Sequence, residues 1–144
     1  MESLRHLVCP HCTAINRIPA PRLGAQPKCG RCHKELFTAQ PLVLTAETFV
    51  RQLHKSDVPL VVDFWAPWCG PCKSMAPNFA AAVARLQPQV ILGKVDTEAQ
   101  QQLATTYQIR SIPTMILFVG GREKARQSGA LSTEQIVAWV NSQL

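Results

Sequence analysis

One pentapeptide limits the fold more than any other part of the chain: Trp68-Cys69-Gly70-Pro71-Cys72. It follows the apolar run 58–65, which reads as a strand, and it precedes a helical pattern. Cys69 therefore falls where the helix begins, so unpaired backbone N–H groups and the positive end of the helix dipole face its sulfur. That environment favours the thiolate, which is the nucleophilic form of cysteine.

The second cysteine lies one turn into the same helix. Pro71 suits the first helical turn, because the N–H that it lacks would have had no partner there. Cys72 can attack a mixed disulfide formed on Cys69, or close a small disulfide with it. The pentapeptide therefore predicts a redox-active dithiol, with Cys69 as the attacking sulfur and Cys72 as the resolving sulfur.

Four further cysteines lie near the amino terminus with the spacing C-x2-C-x16-C-x2-C: Cys9, Cys12, Cys29 and Cys32. This double spacing predicts one structural Zn²⁺ held by four thiolates, with each pair on a tight loop, or knuckle. The segment has few large apolar residues, so metal binding would supply much of its folding energy. We expect His11 and His33 to be exposed rather than to bind the metal.

The sequence also allows two other interpretations of these cysteines. The run 29–33 matches the C-x-x-C-H pattern for c-type haem attachment. However, no export signal is visible, and the second cysteine pair at residues 9–12 favours a shared metal site over haem. The run 9–12 resembles the active-site tetrapeptide of strongly oxidising periplasmic disulfide enzymes. However, we expect neither a buried strand before it nor an amphipathic helix after it.

Charge and hydropathy limit the partners and the compartment. Residues 1–40 carry six basic and two acidic side chains, but four thiolates on one Zn²⁺ would halve that excess of +4. Phe37 is the one aromatic residue there that could stack on a base, so we do not expect nucleic-acid binding. With no secretory signal and no apolar stretch of about 20 residues, we expect a soluble monomer in a reducing cytosol and no membrane partner.

The remaining pattern predicts two modules and an α/β fold. We place the zinc-binding module at residues 1–38 and a second domain at residues 39–144, with a linker at Thr38 to Pro41. From Pro41 onward, strands and helices alternate, and the chain ends in a strand hairpin at Gly120-Gly121 and a final helix capped at Ser132. A short helix after residue 95 is expected to be capped by Asp96 or Thr97. This order predicts mixed strand directions.

The second domain resembles the thioredoxin family. The run 61–73 looks like the family signature, Ile109 to Thr114 like its cis-proline loop, and Ser128-Gly129-Ala130 like its substrate-groove glycine. The resemblance covers about residues 41–144. The amino-terminal cysteines and the run 12–19 are similar to the zinc-bearing bacterial thioredoxin 2 subgroup.

The resemblance implies a thioredoxin fold, with a mixed central sheet flanked by helices, and a protein-disulfide reductase. Electrons would come from NADPH through a flavoprotein thioredoxin reductase, and clients would be disulfide-containing proteins. The resemblance also implies substrate-binding roles for a set of residues around the dithiol: Trp68, Gly70, Pro71, Ile112, Pro113 and Gly129. A cis bond before Pro113 would leave the Ile112 backbone free to pair with a client strand.

Two charged residues receive catalytic roles from the same resemblance. Asp63 lies in an apolar strand, where burial would raise its pKa and let it take a proton from Cys72. It could instead only accept hydrogen bonds from buried backbone groups. Lys94 looks like the family's lysine near that aspartate, or it could be an ordinary solvated lysine. Trp68 could be a lid over the disulfide or a packing residue.

Two other classes of function remain open from the sequence. One is a zinc-ribbon binding module whose second domain docks partners or acts as a holdase. The other is a redox sensor, in which oxidation of the zinc thiolates releases the metal and alters the catalytic domain.

Overall fold

The computed structural model describes residues 3–144. Its strands are β1 Leu4–Val8, β2 Ile15–Pro19, β3 Leu42–Val43, β4 Leu60–Trp65, β5 Ile91–Asp96, β6 Thr114–Val119 and β7 Arg122–Ser128. Its helices are α1 Ala46–Lys55, α2 Gly70–Leu86, α3 Gln101–Thr106 and α4 Thr133–Gln143, and a short 3₁₀ turn covers Ala20–Arg22.

Strands β3 to β7 form one five-stranded sheet in the order β3-β5-β4-β6-β7. Strands β3, β5 and β4 are parallel, whereas β6 and β7 run antiparallel to their neighbours. Strand β4 lies in the centre, and its first five residues are buried because helices cover both faces. The mixed α/β sheet predicted from the sequence is confirmed.

Local sequence signals explain most of the element ends. Thr45 and Thr48 form a reciprocal capping box at the start of α1, and Ser132 and Gln135 form another at the start of α4. Gly120 and Gly121 both have positive φ, as a two-residue hairpin turn requires. The predicted cap at Ser132 and the hairpin turn are confirmed, and α2 continues through Pro77.

The predicted cap of α3 is wrong. The helix begins at Gln101, with Gln100 in the cap position. Asp96 Oδ1 instead accepts hydrogen bonds from the backbone N–H groups of Glu98 and Ala99, at 2.9 and 3.3 Å. These bonds hold a turn that delays the helix, because an aspartate can bond to nearby backbone in turns as well as at helix starts.

The amino-terminal segment contains a strand that the sequence did not suggest. Strands β1 and β2 form an antiparallel hairpin in which Leu4 pairs with Pro19 and Val8 with Ile15. Leu7 and Val8 are buried, so a partly buried strand does precede Cys9, contrary to our expectation. The element that follows the first cysteine pair is β2 rather than a helix, so this pair lacks the strand–helix setting of the Cys69–Cys72 pair.

The hairpin packs directly against α1. Leu7 and Leu36 belong to the same buried cluster as Phe49 and Leu53 of that helix. The buried Gln52 side chain donates to the carbonyl of Val8 at 3.1 Å. Two more polar contacts are Arg51 Nε to Thr13 O at 2.7 Å and Val8 N to Ser56 Oγ at 3.1 Å. The two predicted modules therefore share one core.

Candidate active site and metal centre

The dithiol lies at the junction of β4 and α2, as predicted. Cys69 is the cap residue of α2, and its sulfur accepts the backbone N–H of Cys72 at 3.2 Å. The two Cα atoms are 5.3 Å apart, and the structure joins the sulfurs as a disulfide. Pro71 occupies the first turn. The geometry places Cys69 where backbone donors stabilise negative charge on sulfur.

The loop before β6 closes one side of the dithiol. Cys69 Sγ lies 3.7 Å from the carbonyl oxygen of Ile112, and the bond from Ile112 to Pro113 is cis. Gly129, with a φ of +98°, donates its N–H to the carbonyl of Pro113 at 2.9 Å. The structure therefore brings Ile112, Pro113 and Gly129, which are far apart in sequence, to one place.

A groove of about 250 Å³ runs beside this loop. We call it the dithiol groove, and it is lined by Trp68, Thr97, Ala104, Ile109, Arg110, Ser111 and Ile112. Trp68 is 67% exposed, and its indole N–H donates to Glu98 Oε1 at 2.6 Å. The hydrogen bond holds the ring at the surface, where it lines the groove, rather than in the core. Sequence reasoning missed Glu98, because nothing near it in the chain points to a partner thirty residues earlier.

Asp63 is enclosed within the sheet. Its side chain is 1% exposed, and neither carboxylate oxygen accepts a hydrogen bond from any residue that the structure describes. Burial raises the pKa of Asp63 to about 7, and the nearby positive charge of Lys94 opposes the rise. A buried carboxylate without donors is destabilising, so the alternative role of bonding buried backbone groups has no support among the described residues.

Lys94 lies opposite Asp63 in the register of β4 and β5. Its ammonium group stands 4.4 Å from the ring centre of Trp65, in a cation–π contact. The lysine side chain therefore lies against the Trp65 ring, and its positive charge is close enough to Asp63 to lower the pKa of that carboxyl group. Trp65 is itself half-buried.

The four amino-terminal cysteines converge as predicted. Their sulfur atoms all lie within 4.8 Å of one another, and the pairs Cys9–Cys32 and Cys12–Cys29 are each 3.6 Å apart. Zinc–sulfur bonds of about 2.3 Å at tetrahedral angles would place the sulfurs about 3.8 Å apart, so the donor set fits Zn²⁺. Two converging pairs also argue against separate haem attachment at Cys29 and Cys32. Both His11 and His33 are exposed and lie outside the cluster.

The two knuckles repeat one backbone design. The first cysteine of each accepts, at its carbonyl, the N–H of the residue four positions on: Thr13 for Cys9 and His33 for Cys29. Thr13 and His33 share a left-handed φ of 65°. Backbone N–H groups also point at sulfur, from His11 and Cys12 to Cys9, and from Arg31 to Cys29. Such donors stabilise thiolates that bind a metal.

Among residues 3–144, no helix is both long and apolar enough to cross a membrane.

Comparison with known proteins agrees with both the dithiol domain and the four-cysteine segment. The family model described as Thioredoxin matches residues 40–142, and the model described as Thioredoxin 2, N-terminal matches residues 8–34. The second match and the four-cysteine cluster together indicate zinc binding.

Several named thioredoxins are similar to the chain. Thioredoxin C-3 of Corynebacterium nephridii is 44% identical over 96% of this chain and 94% of its own length. Thioredoxin 1 of a Nostoc species is 42% identical over 61% of this chain and 82% of its own. Thioredoxin of Rickettsia bellii is 33% identical over 70% of this chain and 96% of its own. The chain therefore belongs to the thioredoxin family of protein-disulfide oxidoreductases, and it carries that family's zinc-ribbon extension at its amino terminus.

Proposed function

We propose that this protein reduces client disulfides with Cys69 as the attacking sulfur and Cys72 as the resolving sulfur. The observation that carries the proposal is the position of Cys69 Sγ, at the start of α2 and 3.7 Å from the Ile112 carbonyl beside the dithiol groove. An extended client strand that pairs with the Ile112 backbone would bring its disulfide to that sulfur.

The reaction balances in two exchange steps. The Cys69 thiolate attacks one client sulfur, so a mixed disulfide forms and the other client sulfur leaves as a thiolate. The Cys72 thiolate then attacks Cys69 Sγ, which releases the second client thiol and leaves the intramolecular disulfide. Two electrons pass to the client. We propose that a thioredoxin reductase, with NADPH as its electron source, returns them to the pair.

Asp63 and Lys94 would act on the second step. Cys72 must lose its proton before it can attack, and a carboxyl with a pKa of about 7 can accept that proton near neutral pH. Lys94 keeps the pKa from rising further, since its positive charge favours the ionised carboxylate. Client binding would rest on the Trp68 ring, the exposed turn at Gly70 and Pro71, and the loop formed by Ile112, Pro113 and Gly129.

The proposal is tested by insulin reduction coupled to NADPH and a bacterial thioredoxin reductase. The wild-type protein should oxidise NADPH continuously, whereas the Cys69→Ser variant should show no turnover. A partner-docking module or holdase would bind clients equally well with and without Cys69. Steady turnover by the Cys69→Ser variant would therefore reject the reductase mechanism.

We further propose that one Zn²⁺ is bound by Cys9, Cys12, Cys29 and Cys32 as a closed structural site. Four thiolates leave no coordination position for water, so the metal would stabilise the knuckles and take no part in disulfide exchange. The family's usual setting suggests a monomer in a reducing cytosol, where all four thiols stay available for the metal.

Metal analysis should find one zinc per chain. Replacing any one of the four cysteines with Ser should lower zinc content to near zero after dialysis, because structural zinc needs all four ligands. His11→Ala and His33→Ala are matched controls, since both histidines lie in the same knuckles but outside the cluster. Zinc retained by a cysteine variant, or lost from a histidine control, would show that the ligand set is different.

The proposed boundary between residues 38 and 39 predicts that a chain of residues 39–144 folds and reduces insulin at a rate close to that of the intact protein. It should nevertheless be less stable, because the cut uncovers the face of α1 that contacts Leu7 and Val8. Loss of burial equivalent to about one Leu or Val side chain would lower the free energy of unfolding by about 2 kcal/mol. Urea denaturation of both chains measures the difference. An inactive fragment would place the boundary elsewhere.

A further inference from the structure

Asn16 lies between the two knuckles and touches both. It is the second residue of β2, and its half-buried side chain makes three hydrogen bonds. Its Oδ1 accepts the backbone N–H of Gly30 in the second knuckle at 2.9 Å. Its Nδ2 donates to Cys29 Sγ at 3.4 Å and to the carbonyl of Ala14, at the end of the first knuckle, at 3.3 Å.

The two buried sulfurs are supported differently. Cys9 receives both of its backbone donors, His11 and Cys12, from its own knuckle. Cys29 likewise has two backbone donors in its own loop, Cys32 and Arg31, but the side chain of Asn16 from β2 adds a third donor of a different kind. Asn16 therefore adds a side-chain donor to the backbone donors of the second knuckle, and it ties that knuckle to the hairpin.

We propose that Asn16 is a positioning residue of the metal centre, which joins the two knuckles and donates a hydrogen bond to the Cys29 thiolate. The inference rests on the proposed zinc site. Four thiolates and one Zn²⁺ carry a net charge of −2, and an N–H donor at 3.4 Å from one sulfur reduces the repulsion among them. The bond to Gly30 also fixes Cys29 at its distance of 3.6 Å from Cys12.

An asparagine is suited to both tasks, because one amide oxygen accepts while the amide nitrogen donates. Aspartate of the same shape would still accept from Gly30 but would place a negative oxygen beside the thiolate. Leucine of similar size would remove all three bonds. Asn16→Asp therefore removes the donor bonds to Cys29 and Ala14 and keeps the bond to Gly30, whereas Asn16→Leu removes that bond as well.

The test uses the full chain with Asn16→Asp, Asn16→Leu and a control, Ile15→Ala. Ile15 precedes Asn16 on the same strand, so its side chain points to the other face, and it is 43% exposed. Zinc affinity is measured by competition with a metallochromic chelator. Loss of an outer-shell partner typically weakens metal affinity by about 10- to 100-fold, and we expect that loss in both Asn16 variants and less than a twofold change in the control.

A spectroscopic measurement separates positioning from general stability. In Co²⁺-loaded protein, a thiolate without its N–H donor gives electrons to the metal more readily, so the sulfur-to-cobalt charge-transfer band of both Asn16 variants should move to longer wavelength. The band of the Ile15 control should not move. Insulin reduction by each variant shows whether the thioredoxin domain remains folded.

The outcomes are distinct. A wild-type chain that binds no zinc rejects the proposed zinc site, whereas zinc-loaded wild type with unchanged affinity and spectrum in both variants rejects the role of Asn16. Wild-type behaviour of Asn16→Asp alone would also overturn the proposal, since the donor bond to Cys29 would then have no effect. If Asn16→Leu does not fold, Asn16→Asp decides the matter.

Discussion

Replacing Cys72 with Ser should turn the protein into a trap for its clients. The Cys69 thiolate would still attack, because its helix-start environment is unchanged, but no second thiolate would follow to release the mixed disulfide. NADPH-coupled turnover should fall by at least about a thousandfold. Covalent client complexes should accumulate on non-reducing gels and disappear on addition of dithiothreitol.

The matched control is Cys69→Ser, which replaces the sulfur of the other cysteine with oxygen in the same way. It should trap few clients, because the Ile112 carbonyl of the proposed client-binding loop lies 3.7 Å from Cys69 Sγ, whereas Cys72 lies inside the first turn of α2. Both variants should stop turnover, so the distinction lies in the trapping and not in the rate. Equal trapping by the two variants would overturn the assigned order of attack.

The second large effect is expected from Asp63. The folded protein holds the pKa of Asp63 at about 7, above its ordinary value of 3.8, so the folded state binds this proton more tightly than the unfolded state. Below about pH 4 the Asp63 carboxyl is protonated in both the folded and the unfolded state, so its titration does not change the free energy of unfolding there. Between about pH 4 and 7 the unfolded carboxyl ionises first, so the free energy of unfolding falls as the pH rises.

This fall should reach about 4 kcal/mol at most, from three pH units at about 1.4 kcal/mol each. The Asp63→Asn variant lacks the titration, so its stability relative to wild type should increase by that amount between pH 4 and pH 8. Any change in stability that the new amide causes independently of pH cancels when the difference between variant and wild type at pH 4 is compared with that at pH 8. Urea denaturation at several pH values measures it, and the variant should also reduce insulin more slowly, since Cys72 loses its proton acceptor.

Asp57 provides a control with the opposite sign. The backbone N–H and the ring of His6 lower its pKa, so its contribution to stability is present above its ordinary pKa and is lost in acid. Asp57→Asn should therefore destabilise the protein slightly at neutral pH, because the pair is about half exposed. A stability difference for Asp63→Asn that does not change between pH 4 and pH 8 would show that Asp63 is not a perturbed group.

The sequence could predict the elements that short-range physics determines. The buried strand β4, the capping box at Ser132 and the turn at Gly120-Gly121 each depend on residues within a few positions of one another. Strand β1 was missed because its burial comes from α1, about forty residues later. The cap of α3 was misplaced because Asp96 can serve a turn as readily as a helix.

The same distinction holds for the candidate sites. Cysteine spacing predicted both clusters, since two residues between cysteines bring the sulfurs together in a single turn of chain. Glu98 and Asn16 carried no such pattern, because their partners Trp68 and Cys29 become neighbours only in the folded chain. The proton-accepting role that we propose for Asp63 rests on the resemblance and on the raised pKa of its buried carboxyl group, whose oxygens have no partner among the described residues.

The left-handed residues of the knuckles have an energetic consequence for the metal-free state. A left-handed conformation costs a residue with a Cβ about 1–2 kcal/mol, and Thr13 is β-branched, which makes it an uncommon choice there. The same cost recurs at His33, so both loops hold strain at the same place in their path. Metal–sulfur bonds can offset that strain, and without them Thr13 and His33 are the points at which each loop would relax first, before the β1–β2 pairing opens.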